Sequence, residues 1–364
     1  MRTSIIAALA AFCAVAVLLA PVVQATDSET TQPVGYYDQL DANGQSVYQE
    51  VATSIQDVQA EPKNSMLFTI RLYEPVLFTS TEDARTYALD MINSALAAVY
   101  YTDPMAVWLW DLPVTAVEVI VSTTTVQVGD VGYFMADWVE FTLNVPADME
   151  DDSSTEEVNE LLNRMDELRS AVQGITVSGS VAEKVRAIAD NLLAVSDTDD
   201  EEGQVSNIYD ALVTRSSSSA GIAAAFTQLC QQNGVTALTV KGTVYESFGA
   251  DAGAIGYWNV VQDGENWYGA DATWYTSEDR SPLLAGYTTE TSAVAGGERF
   301  GSTHMADLDL SSTNTLVPIQ ISADGYAWPD ESTFFDRYGT HVFAVVIVIV
   351  IAGTLLYAIR KGNV

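Results

Sequence analysis

Along the chain, stretches that alternate between apolar and polar residues give way to stretches with helical spacing, and each block predicts one element. Residues 26–64 are mainly polar, with Tyr36, Tyr37, Tyr48 and Val51 as apolar content, and predict an entry segment with one helix over 38–55. Met66–Pro75 alternates β-branched and aromatic side chains with polar ones, the pattern of a half-buried strand. Ser80 then stands as a helix cap with Glu82 and Asp83 in the first turn, and Tyr87, Met91, Leu96 and Val99 carry the apolar stripe that follows. A strand is expected from Trp108-Leu109-Trp110, with further strands over 116–126 and 132–145 separated at Gly129-Asp130.

An acidic stretch, residues 148–154, precedes helical spacing at Leu161, Leu162, Met165, Leu168 and Val172, and a second helix is expected over 181–195. The acidic run 197–203 has the alternating carboxylates of a calcium loop. Its Gly203 falls one place late and no liganding Glu follows, so a solvated loop is the expected reading. Ser219–Gln232 predicts a helix that begins with small residues and stops at Gly234. Strands then follow over 236–245, 257–261 and 266–273, the last two joined by a hairpin at Asp263-Gly264.

The two ends bear on location. Ile5–Val23 is uncharged and apolar behind Arg2, and Val23-Gln24-Ala25 offers small residues to a signal peptidase. Residues 1–25 are therefore expected to be a signal peptide, with an uncleaved anchor as the alternative. Val342–Ile359 is uncharged, rich in Val, Ile and Ala, and followed by Arg360-Lys361, the pattern of a membrane span with a stop signal. The expected topology is single-pass in the cell membrane, with residues 26–341 extracytoplasmic and a cytoplasmic tail at 360–364.

Composition narrows the function classes. Of 364 residues, 48% are hydrophobic, which supports a packed core, and 49 acidic against 15 basic groups give a formal charge of −34. Such a chain cannot neutralise phosphates, so nucleic acid is excluded as a partner class. Cys13 lies in the signal segment, which leaves Cys230 as one thiol without an intrachain partner. It shares a helical face with Phe226 and Leu229, so a buried thiol is expected over a reactive one.

Residues 181–275 carry a resemblance. Gly234, Trp258-Asn259, Trp267-Tyr268 and Asp271-Ala272-Thr273-Trp274 resemble the transglutaminase-like branch of the papain-like fold. In that pattern a nucleophilic Cys opens a helix, a Gly follows about fifteen places later, a His opens a His-x-Trp-Asn strand and an Asp lies in Asp-x-Thr-Trp. Fifteen residues before Gly234 stands Ser219 and two before Trp258 stands Gly256, with Asp271 fifteen beyond Gly256. Weaker likenesses are Lys184 and Ile188, Ala211-Leu212-Val213, and Asp103-Pro104 through Trp108.

The resemblance implies an α+β chain. A papain-like transglutaminase core, a helix packed on an antiparallel sheet, spans 181–335. A smaller α+β domain over 26–147 and an acidic hinge and helix over 148–180 precede it, and a C-terminal transmembrane helix follows at 342–359. It assigns Ser219 and Asp271 to the catalytic positions, leaves Gly256 where the base belongs, and implies no cofactor and no metal. A serine hydroxyl is a far weaker acid than a thiol and depends on an adjacent base, which Gly256 does not supply. Asp271 then has no imidazole to orient. His304, in Gly301–Asp307, resembles a downstream structural His of these proteins, with replacement base as its other reading; His341 abuts the expected span.

Two functions stay open. One is a membrane-anchored extracytoplasmic pseudoenzyme that binds a peptide, protein or cell-surface polymer in the old cleft through Tyr257, Trp258 and Asn259. The other is an active acyl transferase, protease or amidase with Ser219 as nucleophile. Ser219 also reads as a helix cap within the run Ser216–Ser219, Asp271 as a scaffold carboxylate, and Trp258, Trp267 and Trp274 as core. On an intact scaffold, Ser219→Cys with Gly256→His is expected to restore some activity.

Overall fold

Two long strands, β1 (Ser65–Phe78) and β4 (Val131–Asn144), pair antiparallel because each carries a period-two apolar face. These are part of a computed structural model that describes residues 35–60, 65–110, 112–121, 126–128, 131–144, 155–197, 206–245, 253–291, 298–308 and 316–328. The signal segment, Cys13, most of the acidic run 197–203, His341 and the expected span at 342–359 lie outside the described residues. Among the described residues no helix is long and apolar enough to cross a membrane.

Phe68 and Phe141 sit directly opposite one another and stack at 5.0 Å. Phe68, Ile70, Leu72, Phe141 and Leu143 face inward, while Leu67, Tyr73 and Trp138 face outward. The register slips between Arg71 and Val76, the stretch that contains Pro75, whose missing N–H cannot join the ladder. β2 (Glu118–Val121) and β3 (Val126–Val128) add to β4 and complete a four-stranded sheet.

Two helices cover its inner face, α1 (Ala42–Ala60) and α2 (Thr81–Thr102). Ser80 caps α2 by accepting from the Asp83 amide at 3.1 Å, worth about 1 kcal/mol for a cap of this kind. Every residue from Met91 to Val99 is buried, because α2 also touches the second sheet. The polar members of that run are satisfied in place: Asn93 donates to Val114 O and accepts from Val114 N, both at 3.0 Å.

Trp108–Trp110 is not a strand. Pro104 opens a single helical turn, α3 (Pro104–Val107), and the two tryptophans lie in the turn behind it, with Trp108 stacked on Tyr209 at 5.6 Å. The helix α4 (Thr155–Gly174) then buries Met165, Leu168 and Val172. Helix α5 (Val181–Leu192) starts with a reciprocal capping box between Ser180 and Glu183 and buries Val185, Ile188 and Leu192.

After a two-residue parallel pair, β5 (Ser196–Asp197) and β6 (Ser216–Ser217), the second large sheet has the order β10-β7-β8-β9, antiparallel throughout: β7 (Ala237–Val244), β8 (Ala254–Asp263), β9 (Asn266–Ala270) and the short β10 (His304–Ala306). Gly264 turns the β8–β9 hairpin with φ +63, a left-handed angle that favours glycine. Helix α6 (Ser219–Gln232) packs on β7 and β8. Tyr36 O–H donates to Thr239 O and Tyr101 O–H to Leu308 O, so the N-terminal unit and the second sheet meet in one cluster of buried apolar residues that runs from Tyr36 to Ile319.

Candidate functional site

The serine run is a sharp corner. Arg215 is left-handed (φ 60, ψ 30) and turns the chain into a two-residue parallel bridge between Ser216–Ser217 and Ser196–Asp197. Ser218, not Ser219, is the cap: it is extended, and its hydroxyl accepts from the Ala220 amide at 3.3 Å. Ser219 is the first residue of α6. The next turn runs hard against the 207–217 segment, since a Cβ on Gly221 would lie 2.1 Å from Ser217 Oγ and 2.3 Å from Asn207 O.

Ser219 is half-buried and its hydroxyl oxygen accepts from the Tyr257 amide at 3.2 Å. The reason is topological. β9 ends at Ala270, opposite Asn259, so the amide of Tyr257 lies beyond the end of β9 and the serine takes it. Ser219 therefore lies beside Tyr257, and its partner there is an N–H donor. A donor draws on the oxygen lone pairs that a nucleophile needs. The helix N-terminus favours an alkoxide by at most about 2 kcal/mol, or roughly 1.5 pH units. That is small against the acidity gap between a hydroxyl and a thiol.

The three proposed binding residues divide between the two faces of β8. Tyr257 packs on Ala220 and Ala223. Asn259 donates to Ala223 O at 2.8 Å and to Thr227 Oγ1 at 2.9 Å, a polar pin between α6 and the sheet. Trp258 points the other way, against His304. They are 6%, 0% and 3% exposed, which corrects the expectation that they line an open cleft: none has appreciable surface to offer a ligand.

Gly256 shares the face of Trp258. A Cβ there would come within 2.5 Å of Val244 Cγ2, closer than side chains tolerate. A side chain at 256 therefore requires Val244 to shift.

Asp271 does have an imidazole. Its Oδ2 lies 3.0 Å from His304 Nε2, and both side chains are almost wholly buried, at 2% and 1% exposure. Its Oδ1 accepts from Thr273 N at 2.8 Å, Thr273 Oγ1 at 2.6 Å and Trp274 N at 3.3 Å. His304 Nδ1 lies 3.0 Å from Thr303 Oγ1 and 3.2 Å from Phe300 O. The ring stacks on Phe300 at 3.9 Å and meets the edges of Trp274 and Trp258 at 4.7 and 5.1 Å. Each ring nitrogen has its hydrogen-bond partners inside the cage, and a general base needs a lone pair within about 2.6–3.2 Å of the proton it takes.

Asp271 was readable from its Asp-x-Thr-Trp setting, but its partner lies 33 residues on in the three-residue strand β10. The one local signal is Phe300 four residues before His304, which brings a ring and a carbonyl to the imidazole. Cys230 is fully buried among apolar neighbours, and burial pushes its thiol up, away from the reactive thiolate.

No family model matches the chain, and no curated protein matches it. Among solved structures it is similar to a TGase at 11% identity and a TM-score of 0.27, over 45% of this chain and 46% of that one. It is also similar to a cysteine protease, described as putative, from Cytophaga hutchinsonii (13%, 0.22, 44% of this chain and 66% of that one). A third is the periplasmic domain of TgpA from Pseudomonas aeruginosa bound to ethylmercury (13%, 0.20, 46% and 69%). The chain spans about half the length of the TGase. At these identities and scores the likenesses carry no argument about what this chain does.

Proposed function

We propose that this chain is a transglutaminase-like extracytoplasmic protein, held in the cell membrane by residues 342–359, that does not catalyse and serves as a binding module for a peptide or cell-surface polymer. The observation that supports silence is the proton inventory. Ser219 Oγ is bonded by an amide donor, and His304, the one imidazole among the described residues, has both nitrogens engaged in a closed aromatic cage. Without a base a serine nucleophile forfeits several orders of magnitude. The membrane topology rests on the sequence at the two ends.

An acyl transferase, protease or amidase using Ser219 is the second reading. What favours it is the half-exposed position of that hydroxyl at a helix N-terminus. Full-length protein in lipid nanodiscs, supplied with a glutaminyl peptide and a primary amine, separates the two. The proposal expects ammonia release at the blank rate and no change on Ser219→Ala; release that disappears in that variant would overturn it.

A further inference from the structure

We propose that the cavity between residues 278–289 and 325–328 binds a neutral saccharide, one or two hexose units of a longer glycan. This rests on the reading of the chain as a binding module, but not on anything at Ser219. The cavity has a volume of about 490 Å³, inside the range of roughly 300–1,000 Å³ typical of small-ligand sites. Buried Leu283 and Leu284 line it, with Tyr326 and Trp328 as half-buried aromatic wall.

The wall is built rigidly. The Arg280 guanidinium lies 5.0 Å over the Trp328 ring and Tyr326 meets Trp328 edge-on at 5.3 Å. Leu284 is held left-handed at φ 52, a conformation a leucine adopts only where its surroundings impose it, and its carbonyl accepts from the Tyr326 amide at 2.9 Å. The two loops are pressed backbone to backbone: a Cβ on Gly286 would lie 2.1 Å from Asp324 C, and one on Gly325 would lie 2.4 Å from Thr289 Oγ1. Ordering costs are therefore met before any ligand arrives.

The chemistry selects the ligand class. A pyranose presents one C–H face that lies on an aromatic ring, and a rim of hydroxyls that suits guanidinium and carboxylate. Asp279, whose carboxylate accepts from Ser281 N and Oγ, and Arg280, whose guanidinium covers one face of Trp328, line the cavity beside the aromatic wall, so a sugar would meet the remaining ring surface and the outer edges of these groups. A polyanionic glycan is repelled by a chain of net charge −34, whereas a neutral one does not feel that field. A cationic peptide would be drawn to the acidic surface at large and has no need of an aromatic-walled cavity.

Full-length protein in lipid nanodiscs, kept free of sugar-based detergent, is titrated calorimetrically with maltohexaose, cellohexaose and chitohexaose. A diazirine derivative of any hexasaccharide that binds is then photo-crosslinked and mapped by mass spectrometry. The proposal expects saturable binding of at least one, crosslinks within 276–291 or 316–328, and a loss of roughly tenfold or more in Trp328→Ala. Arg280→Ala is expected to weaken binding and Trp138→Ala, on the other sheet, to leave it unchanged. No binding at millimolar concentration, crosslinks elsewhere, or unchanged affinity in a folded Trp328→Ala protein would overturn it. Binding of peptides with no glycan binding would overturn this site while leaving the binding-module reading standing.

Discussion

Consider replacing Asp271 in two ways. The carboxylate accepts three hydrogen bonds at Oδ1 and faces His304 at Oδ2, all out of water. Alanine removes every acceptor at once, leaving the Thr273 and Trp274 amides and one imidazole N–H without partners. Leaving a buried donor without its acceptor costs about 1–3 kcal/mol each, so several together remove a large part of the roughly 5–15 kcal/mol that holds a domain folded. Asparagine keeps an oxygen for Thr273 and Trp274 and offers an N–H to His304. The ring answers by moving its proton to Nδ1, where Phe300 O waits at 3.2 Å. Only the charge assistance is lost, about 1–2 kcal/mol. Urea unfolding of the full-length protein in nanodiscs, followed by tryptophan emission, is therefore expected to rank wild type above Asp271→Asn and both well above Asp271→Ala. If Asp271→Ala fell within about 1 kcal/mol of wild type, or if the two variants were equally damaged, the structural role argued for the pair would be refuted.

Other outcomes follow from the same geometry. Gly256→His, which drives a side chain into Val244, is expected to lower the unfolding free energy by about 1–3 kcal/mol as overpacked cores do, and Ser219→Cys with Gly256→His to release no ammonia; an unshifted unfolding midpoint would contradict this. Cys230 is expected to resist maleimide until the protein unfolds, checked by residue-level mass spectrometry, and native labelling at the rate of a free thiol would show the burial to be wrong. Hydrogen bonds from the Ser180 amide and hydroxyl hold the Glu183 carboxyl below its ordinary value. A group depressed in the folded state stabilises above its unfolded pKa and ceases to as pH falls through the folded one. Glu183→Gln is accordingly expected to flatten part of the acid limb of the melting curve, with identical acid limbs as the contrary result.

Much of the fold was legible because local signals agreed with tertiary ones. The Ser80 cap, the Asp263-Gly264 hairpin and the helix that begins at Ser219 each carry their own turn chemistry, and the structure keeps all three. Trp108–Trp110 misled because aromatic density marks burial as well as strand, and Pro104 had already committed the backbone to a helical turn. Ser219 lies at the start of its helix with its hydroxyl on the Tyr257 amide, a contact across 38 residues that no local pattern announces. What the sequence did not disclose was the company of Asp271. A contact between a loop after one strand and a three-residue edge strand leaves no periodic trace, and the aromatic cage around His304 is assembled from residues far apart in the chain. The burial of Asn259 was hidden for a related reason: alternation says that two faces exist, and only packing tells that both are closed.

Activated-serine titration addresses the central claim most directly. Full-length protein is incubated with a fluorophosphonate and digested, and the peptide that contains Ser216–Ser219 is fragmented so that any adduct is assigned to its serine. With an amide on the hydroxyl and, among the described residues, no side chain hydrogen-bonded to accept its proton, Ser219 is predicted to carry no phosphonyl adduct above the level of Ser216. Stoichiometric modification at Ser219 would mean that a proton acceptor reaches this oxygen, and catalytic silence would be contradicted at its root.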